Sequence, residues 1–243
     1  VLKMYDSKKI CLWSGPRNIS TALMYSFAQR SDTKVFDEPL YAYYLANSKA
    51  KEYHPGADEV MQSQNQNGEE VIRDMMEFNE RPIGFFKHMT HHLLNLDRSF
   101  LRQTLNVILT REPAAMIHSF SKVIPNPKLD DLGYKQHAQL VTDLKGLRLE
   151  PIVVNSQTIL NEPAAALIKL CERLGIGFDE SMLQWTPGAR PEDGVWARYW
   201  YKNVHNSSGF KPKSSLYTSL PPSQSELNEK CMPYYHELLQ YEL

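Results

Sequence analysis

The stretch that most limits what this chain can fold into runs from residue 9 to residue 28. A short apolar run, Lys9-Ile10-Cys11-Leu12-Trp13, is cut off by Ser14-Gly15-Pro16. Arg17-Asn18-Ile19-Ser20-Thr21 then leads into Ala22, Leu23, Phe27 and Ala28 at helical spacing. An apolar run bounded by turn residues predicts a buried strand, and the spacing after it predicts a helix with Ser20 or Thr21 as N-cap. Strand, tight loop and helix together present free backbone N–H groups and a positive dipole end to an anion. Arg17 adds a charged fork and Ser20 and Thr21 add hydroxyls, so one phosphate or sulfate can be held from several sides. This is not a Walker A loop, because Ser20 and Thr21 stand where that motif needs Gly-Lys. The bland alternative is an ordinary strand-to-helix turn with a solvated arginine, and the rest of the chain argues against it.

Beyond the loop, strand and helix signals alternate. Residues 34–36 read as a second short strand, stopped by Asp37-Glu38-Pro39, and residues 82–87 and 105–110 as a third and fourth. A fifth covers 150–154. Val71, Ile72, Met75 and Met76 mark an amphipathic helix over 69–78. Helices are also expected over 113–121, with Pro113 in the first turn, over 132–144, and over 163–174 ending at Gly175. A last helix covers 225–241, interrupted or kinked near Pro233. The polar stretch 47–67 has no clean period and is expected as a surface helix or excursion. Residues 185–222, rich in Pro, Gly, Ser and aromatics, are expected to be irregular and packed over the domain. Such alternation predicts an α/β, three-layer fold: a central parallel sheet of about five strands with helices on both faces. A length of 243 residues suits one domain over 1–243.

Composition removes several function classes. With 42% apolar and 23% charged residues the balance is globular, and a formal net charge of −1 argues against a general nucleic-acid binder. No run approaches the ~18 consecutive apolar residues of a membrane span, and residues 9–13 are too short for a signal-peptide core. Cys11, Cys171 and Cys231 are odd in number and scattered, which predicts reduced thiols and a cytoplasmic setting. The first residue is Val1 rather than methionine, which leaves room for a segment upstream.

Two motifs together resemble the sulfotransferases that use 3'-phosphoadenosine-5'-phosphosulfate as donor. Pro16-Arg17-Asn18-Ile19-Ser20-Thr21 resembles that family's loop around the 5'-phosphosulfate. Leu109-Thr110-Arg111-Glu112-Pro113, followed by Ser119, resembles its second signature, an arginine at a strand end and a serine eight positions on, both bound to the donor's 3'-phosphate. Arg111 leaves a strand at its carboxyl end, where open α/β sheets bind ligands. Ser119 lies about 12 Å along the next helix at 1.5 Å per residue, so the two share one phosphate only if that helix runs back beside it. The aromatic block 196–202 resembles a bacterial and plant branch acting on small metabolites. Three departures stand out. Ile19 replaces the loop glycine, so the backbone is expected to manage there without positive φ. Ser156 stands where an adenine-packing tyrosine is common. The family's C-terminal Arg-Lys-Gly has only Lys211 and Lys213 as weak counterparts.

The resemblance implies a fold like that of P-loop nucleotide hydrolases and a sulfuryl transferase that needs no metal, its chemistry resting on positioning and electrostatics. Arg17, with Lys87 at the end of the third strand, would neutralise the leaving group. Asn18, Ile19, Ser20, Thr21, Arg111 and Ser119 would hold the donor. For the general base, Glu38 at the end of the second strand is favoured over His88, which is offset by one from the family's histidine, and over His91 and His92. The acceptor is expected to be a small metabolite with a hydroxyl or amine, and Tyr41, His91, His92 and Trp200 are expected to line its pocket. A zinc site at the histidines lacks a further ligand nearby. The competing readings are a small-molecule or nucleotide kinase built on the same loop, and a non-catalytic relative that keeps the pocket.

Overall fold

The computed structural model describes residues 4–212 and 220–243. Five strands form its sheet: β1 (Lys8–Ser14), β2 (Thr33–Asp37), β3 (Ile83–Met89), β4 (Leu105–Thr110) and β5 (Ile152–Asn155). All neighbouring pairs are parallel and the order is β2-β3-β1-β4-β5. Side chains alternate across a strand, and the core divides accordingly. Ile10 and Leu12 of β1, Phe85 of β3, Val107 and Leu109 of β4 and Val154 of β5 share one apolar cluster. Cys11, Trp13, Phe86, Ile108 and Val153, the residues between them, share another on the opposite face. Both faces are covered, the condition under which an all-parallel sheet is stable in water.

The helices are α1 (Ser20–Phe27), α2 (Tyr41–Ala46), α3 (Ala57–Ser63), α4 (Gly68–Glu77), α5 (Pro113–Phe120) and α6 (Leu129–Leu132), followed by α7 (Tyr134–Gly146), α8 (Ser156–Asn161), α9 (Pro163–Arg173), α10 (Ala197–Trp200), α11 (Lys202–His205) and α12 (Pro222–Leu239). Leu23 and Phe27 of α1 and Leu167 and Leu170 of α9 pack on the first face. Val71 and Met75 of α4, Leu140 and Leu144 of α7 and Leu238 of α12 pack on the second.

Several expectations shift in detail. Gly133, at φ 79°, splits the helix expected over 132–144 into α6 and α7. α12 runs through Pro233 without a break in assignment. The stretch 47–67 holds a 3-10 turn and α3, and the irregular region 185–222 contains α10 and α11. α2 and α8, each six residues, are too short to show a helical period in sequence.

Candidate active site

β1 sits at the centre of the sheet, with β3 on one side and β4 on the other. The chain leaves β1 toward β2 and β3 and later crosses to β4, so strand order reverses at the β1–β4 pair. Ligands of open α/β sheets bind at such a reversal, beyond the carboxyl ends of the strands. There the loop after β1 and the turn after β4 meet a cavity of about 310 Å³.

The loop is tied to β4 at two points. The Asn18 amide donates to the Leu109 carbonyl, and the Arg111 guanidinium donates to the Arg17 carbonyl at 2.5 Å. Arg17 in turn donates through Nε to Ser119 Oγ at 3.1 Å and through Nη1 to the Trp200 carbonyl at 2.8 Å. α5 therefore does run back beside the loop, and Arg17, Arg111 and Ser119 come together although Arg17 and Ser119 are 102 positions apart. Neither arginine is paired with a carboxylate among the described residues. The Arg17 guanidinium is pushed down in pKa by burial and then by Arg111 beside it. Two unneutralised cations at a cavity mouth favour an anion.

Two expectations about this loop are corrected. Ile19 does adopt a left-handed conformation, φ 51°, and Arg17 another, φ 56°. The tight turn needs positive φ at those places with or without glycine, and such strain concentrates at functional sites. The N-cap of α1 is Ile19 itself, with no side-chain cap, and Ser20 is the first helical residue. The first-turn N–H groups are thus left without a capping oxygen from the N-cap side chain. Ser20 and Thr21 both face the cavity.

A buried ionic cluster also borders the cavity. Lys87 is only 1% exposed, and its ammonium donates to Asp37 Oδ1 at 2.7 Å, Glu38 Oε1 at 2.5 Å and Tyr201 Oη at 2.7 Å. The Tyr201 hydroxyl accepts also from Trp196 Nε1 at 3.0 Å and donates to Asp37 at 2.8 Å. Gly194 N–H donates to the second Asp37 oxygen at 3.1 Å. Burial raises the Glu38 pKa and Asp37 adds to the rise, while Lys87 opposes it. Lys87 is raised by Asp37 and Glu38 against the opposite pull of burial. Glu38 itself has φ 44°, the third strained residue at the site.

The histidines separate by strand alternation. Lys87 faces the cavity, so His88 faces the opposite side, where it stacks on Trp13 with centroids 4.4 Å apart. Burial drives its pKa down to about 3. His88 is therefore removed from the candidate bases. His91 and His92 do reach the cavity wall, as do Tyr41 and Trp200. His92 stacks between Tyr41 and Tyr44, at 4.9 and 4.6 Å. Burial pushes His91 to about 3 and His92 well below its ordinary value, so both are neutral and poor proton acceptors at pH 7. No group of three or more metal-ligating side chains occurs among the described residues.

His54, Asp131, Leu160, Val204 and Phe210, which the sequence did not single out, complete the wall. His54 Nδ1 lies 2.8 Å from Tyr41 Oη, a hydrogen bond whose donor is set by the imidazole tautomer, and burial lowers the His54 pKa to about 4. Asp131, Trp196 and Tyr201 also line the cavity, as do Lys211 and the apolar side chains of Ile19, Leu160, Val204 and Phe210. Only the aromatic block around Trp196 gave any warning of this. Lys213 lies outside the described residues.

A P-loop-like sheet thus carries at its β1–β4 reversal two arginines with no carboxylate partner among the described residues, and a buried lysine held by two carboxylates borders the same cavity. A model of the sulfotransferase domain matches residues 8–240, and the chain belongs to that family. Two relatives from Arabidopsis thaliana, branched-chain-amino-acid aminotransferase-like proteins 1 and 2, are 38% and 36% identical over 97% and 93% of the chain. The matches cover 42% and 40% of those proteins, so the chain spans about two-fifths of their length. Among solved structures, a sulfotransferase from Alicyclobacillus acidocaldarius superposes with a TM-score of 0.57 at 10% identity, covering 96% of this chain and 94% of that one. The sulfotransferase domain from the curacin biosynthetic pathway gives 0.54 at 17% identity, covering 98% and 99%. These two likenesses establish a shared fold. Family membership supports sulfotransferase activity in general.

Proposed function

We propose that the protein transfers a sulfuryl group from 3'-phosphoadenosine-5'-phosphosulfate to a hydroxyl or amine of a small metabolite. The observation that carries this reading is the meeting of Arg17, Arg111 and Ser119 at one end of the cavity that Glu38 and Lys87 line. The residues present fit the donor. Arg111 and Ser119 would hold its 3'-phosphate, and the Arg17–Thr21 loop its 5'-phosphosulfate. The apolar side chains of Ile19, Leu160 and Phe210 in the cavity lining would pack on a flat base in place of the tyrosine that Ser156 replaces.

The donor supplies an activated sulfuryl group on a phosphate leaving group. As the acceptor's oxygen or nitrogen bonds to sulfur, the bond from sulfur to the phosphate oxygen breaks and that oxygen keeps the electron pair. Glu38 takes the acceptor's proton, its pKa raised by burial toward a useful range. Arg17 and Lys87 stabilise the charge on the departing phosphate. Tyr41, His91, His92 and Trp200 give the acceptor an aromatic, uncharged wall, and the near-neutral chain argues against a long polyanionic glycan. Three free, buried thiols favour a reducing, cytoplasmic setting.

The test is transfer of radiolabelled sulfur from the donor to pooled hydroxylated and amine metabolites, comparing wild type with Glu38→Gln. The expected result is labelled product from wild type and a rate lower by about 100-fold or more in the variant. Label in no pool, or equal rates, would contradict the proposal and favour a pocket kept for binding alone. A kinase has only the loop topology in its favour, with Ser20 and Thr21 where Gly-Lys is required.

A further inference from the structure

The Lys87 ammonium has three donors and all three are in use, on Asp37, Glu38 and Tyr201. Two of those partners are locked from behind. Asp37 is held by the Tyr201 hydroxyl and by Gly194 N–H. Tyr201 accepts from Trp196 and Lys87 and donates to Asp37, which uses its one donor and both lone pairs. Glu38 is anchored through its backbone, its N–H donating to the Lys87 carbonyl at 2.8 Å and its carbonyl accepting from Gln64 and Tyr41. Of the two carboxylates bound to Lys87, Glu38 is the one whose residue lines the cavity, and it is the partner not locked from behind. A base engaged this way cannot take a proton freely, because a lysine-bound carboxylate is stabilised in its charged form.

We infer that Lys87 exchanges Glu38 for the donor's phosphosulfate oxygens when the donor binds, with Asp37 and Tyr201 holding the ammonium throughout. Asp37 and Tyr201 are then positioning residues: they keep a charged lysine aimed at the cavity after Glu38 has let go. The consequence is a base released only in a donor-loaded site, and so a binding order of donor before acceptor. The inference rests on the proposed donor.

Its signature is a proton. Glu38 is faced by Lys87, Asp37, Tyr201 and Tyr41. Losing the ammonium removes the one charge that lowers its pKa, while burial and Asp37 continue to raise it. Donor binding therefore makes Glu38 a stronger base, and at mildly acidic pH, where the experiment is run, it draws a proton onto Glu38. The experiment is calorimetry of 3'-phosphoadenosine 5'-phosphate binding in buffers of different ionisation enthalpy, which counts protons taken up per ligand. Glu38→Gln subtracts protons bound or released by the ligand's own phosphates. The expected result is greater uptake by wild type than by Glu38→Gln, with both binding. In Asp37→Asn the difference shrinks, because Glu38 loses the neighbour that raises its pKa, and affinity falls about tenfold. Equal proton counts in wild type and Glu38→Gln, with binding intact, would overturn the exchange alone. Absence of binding to wild type would overturn the donor reading and the exchange with it. Unchanged counts and affinity in Asp37→Asn, at a wild-type unfolding midpoint, would remove Asp37 from the arrangement and overturn the inference as stated.

Discussion

Ile19 holds a backbone conformation that costs an L-residue about 1–2 kcal/mol, and its side chain packs against the apolar cluster beneath α1. Packing holds the turn that glycine would otherwise make, which is why a motif without its glycine still closes. At this scale the placing of Arg17, Ser20, Thr21, Arg111 and Ser119 around one cavity was legible, because it depends on local spacing next to a strand end. Tyr201 was not. Its hydroxyl meets Lys87 across 114 positions of chain, and nothing local to it announces that contact. Arg111 gives the residue-scale prediction. Arg111→Ala removes a charged donor from the cavity and the bond to the Arg17 carbonyl. A hydrogen bond to a charged group contributes about 1.5–3 kcal/mol. Affinity for 3'-phosphoadenosine 5'-phosphate is therefore expected to fall by roughly 10- to 150-fold, with little change in the urea midpoint. Unchanged affinity would mean that Arg111 serves the loop and not the ligand.

Among the elements, the strands were the most readable, since short apolar runs ended at turn residues and five of five fell close to the expected positions. Strand alternation also decided the fate of His88: once β3 extends to Met89, neighbours Lys87 and His88 must part company. What pattern reading missed was short helices and the split at Gly133, where a left-handed residue breaks an otherwise continuous period. The junction of β1 with its loop is tight for a visible reason. A Cβ on Gly15 would come within 2.5 Å of the Leu132 carbonyl at the end of α6. Backbone cannot yield as a side-chain tip can, so Gly15→Ala must displace either the loop or α6. The expected outcome is a clear drop in thermal midpoint, of several degrees, together with weakened ligand binding, both read in one thermal-shift titration. A variant indistinguishable from wild type would show that the loop tolerates movement the account forbids.

For the whole molecule, buried histidines set the acid limit. His54 is held near pKa 4, and His88, His91 and His137 near 3, each chiefly by burial. In the unfolded chain they titrate near 6.5. Between those values the unfolded chain binds more protons than the folded one, so stability rises with pH there. It is complete above about pH 6.5 and is lost as pH falls toward 4, by about 1.4 kcal/mol per pH unit for each histidine. Urea midpoints measured from pH 8 to pH 5 are expected to be flat at first and then to fall steeply below pH 6.5. A midpoint constant down to pH 5 would mean that these imidazoles are reached by water or protons in the folded state.

The central claim, that the two arginine motifs form a single donor site, is tested most directly by calorimetry of the purified chain with 3'-phosphoadenosine 5'-phosphate, beside ATP with magnesium. Micromolar or tighter binding of the first and a much weaker response to the second are expected, since Arg17, Arg111 and Ser119 converge as a ligand with both a 3'- and a 5'-phosphate would require. Equal binding of the two, or binding of neither, would contradict it and leave the chain with the family's fold but without the proposed donor.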